Sequence, residues 1–293
     1  MPAPASASGG LPPRHIADAA DRSISISRRW LDAPRLTRGA LHQMRWLALY
    51  LLPPAFLMLL WHGVTQAGWM PPQILPAPGL VFKTLVELLQ SGEIASNLLI
   101  SSQRIGLGFA LGCAIGLPLG VLLGVSPQAR AYMEPTLKAL FAIPTIGWIP
   151  ILILIFGIDE TLKVLVIAKA AMVPIVINTS RGIREVPARF FEVAQVLQLK
   201  RRTRLFKLIL PASLPAVFSG LRLGISNAFI ALIVVEMLAA TEGIGYMMVW
   251  GRKLFQLDMV LVGIFVVGAV GLLIDFNLRK LERRISRWER ADA

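Results

Sequence analysis

The sequence predicts an all-α integral membrane protein, a bundle of about six transmembrane helices with one long basic loop. Three observations predict it. Of 293 residues, 55% are hydrophobic and only 16% are charged, with a mean hydropathy of +0.65. Ordinary globular domains carry about 25% charge, and a soluble fold of this length could not cover so much apolar side chain. Apolar runs close to the ~20 residues that cross a bilayer recur along the chain. Finally, 30 Lys and Arg against 17 Asp and Glu, a net +13, cluster between those runs.

Residues 1–45 are polar and rich in Ala, Pro, Ser and Arg. They read as a cytoplasmic leader, either disordered or resting on the membrane through Ile24, Ile26, Trp30 and Leu31 among Arg28, Arg29 and Arg35. The first apolar run, 46–64, lies behind too long a polar segment for a secretory signal. Trp61, His62 and Gly63 stand where small cleavage-site residues belong, so it reads as an uncleaved span. Further spans are expected at 105–125, 137–157, 162–180, 215–239 and 259–277. Only the residues around 157–160 separate the third from the fourth, which predicts a tight antiparallel hairpin. Pro53, Pro54, Pro118, Pro144, Pro150 and Pro174 fall inside spans, where neighbouring helices or water re-satisfy the freed carbonyls. The transmembrane domain is thus expected over 46–277, and 278–293 form a basic tail.

Charge sets the orientation. Of the 30 Lys and Arg, seven lie in the leader, two in 126–138, eight in 181–211 and six after Leu278. Only Lys83, Arg104, Lys163, Lys169, Arg222, Arg252 and Lys253 lie elsewhere. Because positive loops stay inside, both termini and the 181–211 segment are expected in the cytoplasm. The net charge is then topology, and no nucleic acid is expected as a partner, since no aromatic platform interleaves the basic segments. Gly108, Gly112, Gly116, Gly120 and Gly124 recur every four residues in the second span. That spacing makes a ridge on which another helix backbone can approach closely; a stretch of it lining a pathway is the alternative.

Catalytic chemistry finds no home. No Gly-Lys dipeptide occurs, so there is no G-x-x-x-x-G-K-[ST] phosphate loop. His15, His42 and His62 are scattered, Cys113 is single and sits in an apolar run, and no G-x-S-x-G elbow appears. No metal, cofactor or enzymatic activity is expected. What remains is a transporting subunit powered from outside.

The 181–211 segment is the informative one. Phe190, Phe191, Val193, Val196, Leu197 and Leu199 supply apolar faces at helical spacing among Lys200, Arg201, Arg202, Arg204 and Lys207, which fits two short helices lying beneath the membrane. It resembles the EAA loop of permease subunits of ATP-binding-cassette importers, whose pattern is E-A-A, three residues, G, nine residues, I-x-L-P. Glu192, Ala194, Leu210 and Pro211 match, while Val193, Gln198 and Leu208 replace the middle alanine, the glycine and the isoleucine. The resemblance covers about 75–290 and is closest to the nitrate, sulfonate and taurine branch. It is carried further by Leu75-Pro76-Ala77-Pro78, Phe156-Gly157-Ile158-Asp159-Glu160, Gly220-Leu221-Arg222, Glu236-Met237-Leu238 and Gly243-Ile244-Gly245-Tyr246.

What the resemblance implies is a multi-pass protein of the bacterial inner membrane. It would pair with a second permease, as a homodimer surrounded by lipid, and would work with a cytoplasmic ATP-binding subunit and a periplasmic solute-binding protein. Phe191, Glu192, Val193, Ala194, Val196, Gln198, Leu210 and Pro211 would form the coupling contact with the ATPase. The solute would be an aliphatic sulfonate or taurine, then nitrate, then a neutral organic such as a thiamine pyrimidine precursor; an ion-coupled secondary transporter is the reading from another class. Ionisable groups inside spans need a partner or water, which singles out Lys169, Arg222 and Glu236 as pathway or gate residues. Lys169 either offers a positive field to an anionic solute or snorkels or pairs with Glu236. Arg222 would brace a gate through backbone carbonyls, and Asp275 could do the same with Arg279.

Overall fold

A computed structural model describes residues 35–285, so 1–34 of the expected leader and 286–293 of the expected tail lie outside the described residues. The described residues divide into two compact units, the first ending at Val64 and the second beginning at Thr65. Most of helix α1 (Arg35–Gln66) belongs to the first. It carries Pro53 and Pro54 within it and includes the run expected as the first span. Leu52, Phe56, Leu57 and Leu59 are each at least 60% exposed, an outward apolar surface suited to lipid.

The second unit is helical throughout, and no strand occurs among the described residues. In order come α2 (Pro78–Gln90), α3 (Glu93–Val125), α4 (Pro127–Ala142), a 3-10 turn (Thr145–Trp148) and α5 (Ile149–Phe156). Then follow α6 (Glu160–Arg184), α7 (Ala188–Val196), α8 (Arg201–Arg204), a π turn (Leu205–Ile209), α9 (Leu210–Ala239), α10 (Ile244–Lys253) and α11 (Leu257–Ile285). Three helices are long and apolar enough to cross a membrane alone: Glu93–Val125, Arg202–Ala239 and Leu257–Lys280. The pair Pro127–Ala142 and Thr145–Phe156, bent by 89°, makes a fourth if it counts as one span, against six expected from the sequence.

The bent pair corrects the single helix expected at 137–157. Ile143 is extended at φ −74°, ψ 118°, as a residue preceding proline is forced to be. Pro144 also lacks the N–H that would continue the ladder. The chain turns there, and the helix restarts at Ile149.

α6 is the core of the unit. Leu162, Val166, Ile167, Ala171 and Ile175 are buried against Ala228, Leu232 and Val235 of α9. On its other side lies the glycine ridge of α3. A methyl group placed on Gly108 would meet Ile167 Cγ2 at 2.5 Å, on Gly112 the Ala168 carbonyl oxygen at 2.8 Å and on Gly116 Ile175 Cγ2 at 3.1 Å. Further along, Gly120 would meet Thr179 Cβ at 2.7 Å and Gly124 would meet Ile183 Cβ at 2.8 Å. Both helices advance together, so α3 and α6 run parallel. By the same measure α9 runs antiparallel to α6, since Gly220 lies against the Pro174 carbonyl oxygen (3.2 Å) and Gly224 against that of Ala171 (3.0 Å). The ridge therefore serves packing within one chain.

Candidate functional site

The start of α3, the start of α6 and the end of α9 converge on a buried charged cluster. The Arg104 guanidinium is almost wholly buried and donates from Nε and Nη2 to the two carboxylate oxygens of Glu160, at 2.7 and 2.6 Å. From Nη1 it donates to Glu236 Oε1 at 2.9 Å and to the Glu242 carbonyl at 2.7 Å. Glu236 is fully buried and also accepts from Ser101 Oγ (2.7 Å) and from the Gly245 N–H (3.0 Å). Lys163 Nζ donates to Glu160 Oε1 at 2.7 Å. Such a network leaves little of the charge unpaired, the condition under which buried ions persist.

The cluster also pins the turn into α10. The Gly243 N–H donates to Asn97 Oδ1 at 2.7 Å and the Ile244 N–H to Ser101 Oγ at 3.1 Å. Gly243 has φ +108°, and a Cβ there would collide with the Glu236 carboxylate and stand 2.8 Å from Arg104 Nη1. Only glycine fits both the backbone and the space. Glu160, first residue of α6 and outside the 162–180 segment, has a side chain 57% exposed. The hydrogen bond from Arg104, with Lys163 adding to it, outweighs desolvation and holds the Glu160 carboxyl at about 2.

Glu236 therefore pairs with Arg104, and the Lys169–Glu236 pair considered from the sequence does not form. Lys169 lies nine residues beyond Glu160 on α6, about 13 Å along a helix rising ~1.5 Å per residue. Its Nζ donates to the Ile143 carbonyl at 3.1 Å and stands 5.2 Å from the centre of the Trp148 ring. The buried Trp148 Nε1 has no hydrogen-bond partner among the described residues. Lys169 borders a cavity of 310 Å³ between the α4–α5 break, α6 and α9, walled also by Phe141, Ile149, Val166, Ile230 and Val234, with Thr145 and Asn227 as its other polar groups. Capping the C-terminus of α4 is worth about 0.3–1 kcal/mol to a cation. A lone ammonium at membrane depth costs roughly 2.5–3.5 kcal/mol, so Ile143 alone does not offset it.

Arg222 on α9 reaches a carboxylate: its Nη2 donates to Asp275 Oδ1 of α11 at 3.3 Å, and Asp275 is shared with Arg279. Arg222 thus makes a side-chain ion pair between α9 and α11, where the sequence reading expects backbone carbonyls as its partners. No cluster of three or more metal-binding side chains occurs among the described residues.

The EAA-like segment forms one of the two short helices expected, α7; the second does not stand alone, because α8 runs through the π turn into α9 as one helix, Arg202–Ala239. α7 ends in a Schellman turn, with the Leu199 N–H on the Ala194 carbonyl (3.0 Å) and the Gln198 N–H on that of Gln195 (3.0 Å). Gln198 is left-handed at φ +47°, so it performs the turn at the motif's glycine position. Ala194 is buried at 2% exposure, whereas Val193, Val196 (83%) and Leu197 project outward with Glu192. The Phe191 side chain lies outside the described residues. Phe190, Leu205 and Leu210 pack on Ile183, Val186 and Ile209, and Pro211 opens α9, so this end of the segment is built into the bundle. Ser101, Asn97 and Trp148 are not singled out by the sequence, and Glu160 enters there only as part of the Phe156–Glu160 motif. Arg104 carries a signal there as a charge outside the basic clusters.

Residues 116–287 match the family described as the binding-protein-dependent transport system inner membrane component. The Bacillus subtilis protein provisionally named aliphatic sulfonates transport permease protein SsuC is 39% identical over 238 residues, 81% of this chain and 86% of that protein. The Escherichia coli taurine transport system permease protein TauC is 30% identical over 239 residues, 80% of this chain and 87% of that protein. The nitrate import permease protein NrtB of Synechococcus elongatus is 35% identical over 193 residues, 64% of this chain and 69% of that protein. In fold, a chain of the inward-facing MetNI methionine ABC transporter superposes with a TM-score of 0.53 at 19% identity, over 63% of this chain and 92% of that one.

Proposed function

The chain belongs to the family of binding-protein-dependent transport system inner membrane components, and from that premise we propose that it is the permease of an ATP-driven importer for a small organic anion, an aliphatic sulfonate or taurine ahead of nitrate. It is a multi-pass membrane protein. It works as a homodimer in lipid, with both termini in the cytoplasm, and a separate ATP-binding subunit hydrolyses the nucleotide. The solute-binding protein delivers its load at the end of the bundle that holds Arg104, Glu160 and Glu236.

One observation carries the coupling role. α7 holds Val193, Val196 and Leu197 exposed beside Glu192, while Ala194 is buried beneath them. A short helix braced from below and apolar above suits docking into a cleft on another protein. Ala194 then seats the helix, the Gln198 turn sets its angle, and Leu210 and Pro211 transmit its displacement into α9. Lys200, Arg202 and Lys207 steer the encounter, each with a small exposed contribution.

The test is co-expression with the ATP-binding subunit. Glu192→Lys and Val196→Asp should leave the chain inserted in the membrane, lower co-purification of the ATPase and abolish ATP-driven sulfonate uptake in vesicles. Full uptake in both variants would remove α7 as the coupling element.

A further inference from the structure

We propose that the 310 Å³ cavity at the α4–α5 break is a solute site within the permease, selective for organic anions that carry an apolar tail over nitrate. This rests on the importer reading and names the solute class of that pathway. Among the described residues, Lys169 is the only ionisable one lining the cavity and makes no ion pair. The carboxylates that would neutralise it on α6 and α9, Glu160 and Glu236, are both committed to Arg104. The Ile143 carbonyl takes one of its three donors, leaving two for a ligand. An anionic headgroup supplies the missing counter-charge, with the Thr145 hydroxyl and the Asn227 amide also bordering the cavity.

Size and wall chemistry choose among anions. Liquid water occupies ~30 Å³ per molecule, so the cavity has room for about ten. Nitrate has about the bulk of two waters and would leave Phe141, Ile230 and Val234 wetted. A sulfonate with a short alkyl chain places its oxygens at Lys169 and its methylenes on those three side chains. The volume sits at the small end of ligand sites, which are mostly apolar with a few polar groups that fix orientation.

The experiment measures equilibrium binding by titration calorimetry to the full-length chain in lipid nanodiscs, without the binding protein. The probes are 1-butanesulfonate, methanesulfonate, nitrate and 1-butanol. Saturable binding of 1-butanesulfonate is expected, with nitrate and 1-butanol at least tenfold weaker. Lys169→Gln should weaken 1-butanesulfonate at least tenfold and Lys169→Arg by less than threefold. Val234→Phe, which fills the tail space, should weaken 1-butanesulfonate while sparing methanesulfonate. Nitrate binding as tightly as 1-butanesulfonate, unchanged binding in Lys169→Gln, or no binding at all would overturn the site. Those outcomes together with intact ATP-driven uptake would leave the importer reading standing, whereas loss of ATP dependence in the wild-type complex would overturn that reading instead.

Discussion

Gln198 occupies a conformation that costs a residue with a Cβ about 1–2 kcal/mol relative to the right-handed region, yet the turn it makes is closed by two 3.0 Å backbone hydrogen bonds. The tertiary anchors around it hold the strain: Ala194 is buried on one side, and Phe190 and Leu205 pack on Ile183 and Ile209. Glycine would relieve the strain and return part of the gain as extra freedom of the unfolded chain, ~0.5–1 kcal/mol. Gln198→Gly should therefore raise stability by up to about 1 kcal/mol and leave ATP-driven uptake intact, read from the thermal unfolding midpoint of the purified complex. A fall in the midpoint would mean that the Gln198 side chain makes a stabilising contact of its own. Gly243 is the reverse case, for its φ of +108° and the Glu236 carboxylate beside it leave no space for a Cβ.

At the scale of elements, the α3–α6 seam is graded. At Gly112 an added methyl meets backbone, the Ala168 carbonyl oxygen at 2.8 Å, whereas at Gly116 it first meets the Ile175 side chain at 3.1 Å. Side chains yield where backbone does not, and overpacking of this kind costs about 1–3 kcal/mol. Gly112→Ala should therefore lower the detergent unfolding midpoint more than Gly116→Ala, and the opposite order would show that α3 slides along α6. The ridge was legible in the sequence because a period of four survives in one dimension. Its partner was not, since nothing local says which helix fills the groove. The break at Pro144 was hidden because hydropathy over 137–157 records apolarity and not direction. α2 and α10 were missed as too short to be spans, although Val81 and Leu88 of α2 are buried. The Arg104 cluster escaped because Arg104 lies 56 and 132 residues from its partners Glu160 and Glu236, while the EAA-like helix α7 was legible because its determinants are consecutive.

For the whole molecule, packing direction fixes which residues share an end of the bundle, and charge distribution then gives the orientation expected in a membrane. Parallel α3 and α6, with α9 antiparallel to both, put Gly92, Arg104, Glu160 and Glu236 at one end of the bundle. Gly124, Ile183 and Ile209 lie at the other, beside the segment 181–211 with its eight Lys and Arg. The first end carries Glu93, Glu160 and Glu242 near its surface; of its cations Arg104 and Lys163 are buried and paired, while Lys83, Arg252 and Lys253 on the short helices α2 and α10 are exposed. Each Lys or Arg near an anionic cytoplasmic leaflet is worth about 1 kcal/mol, and positive loops resist translocation, so the basic end is expected inside. α11 leads away from the Arg104 end, where Thr84 of α2 donates to its Asp258 at 2.6 Å, so the C-terminus should lie inside as well. A reporter fused after Ala293 should accordingly give a cytoplasmic signal, and one inserted at Gly92 an external signal. Reversal of both would invert the molecule and move the proposed ATPase contact on α7 to the wrong side of the membrane. Reversal at Gly92 alone would break the parallel relation of α3 and α6 on which the cavity, the cluster and the coupling segment are all placed.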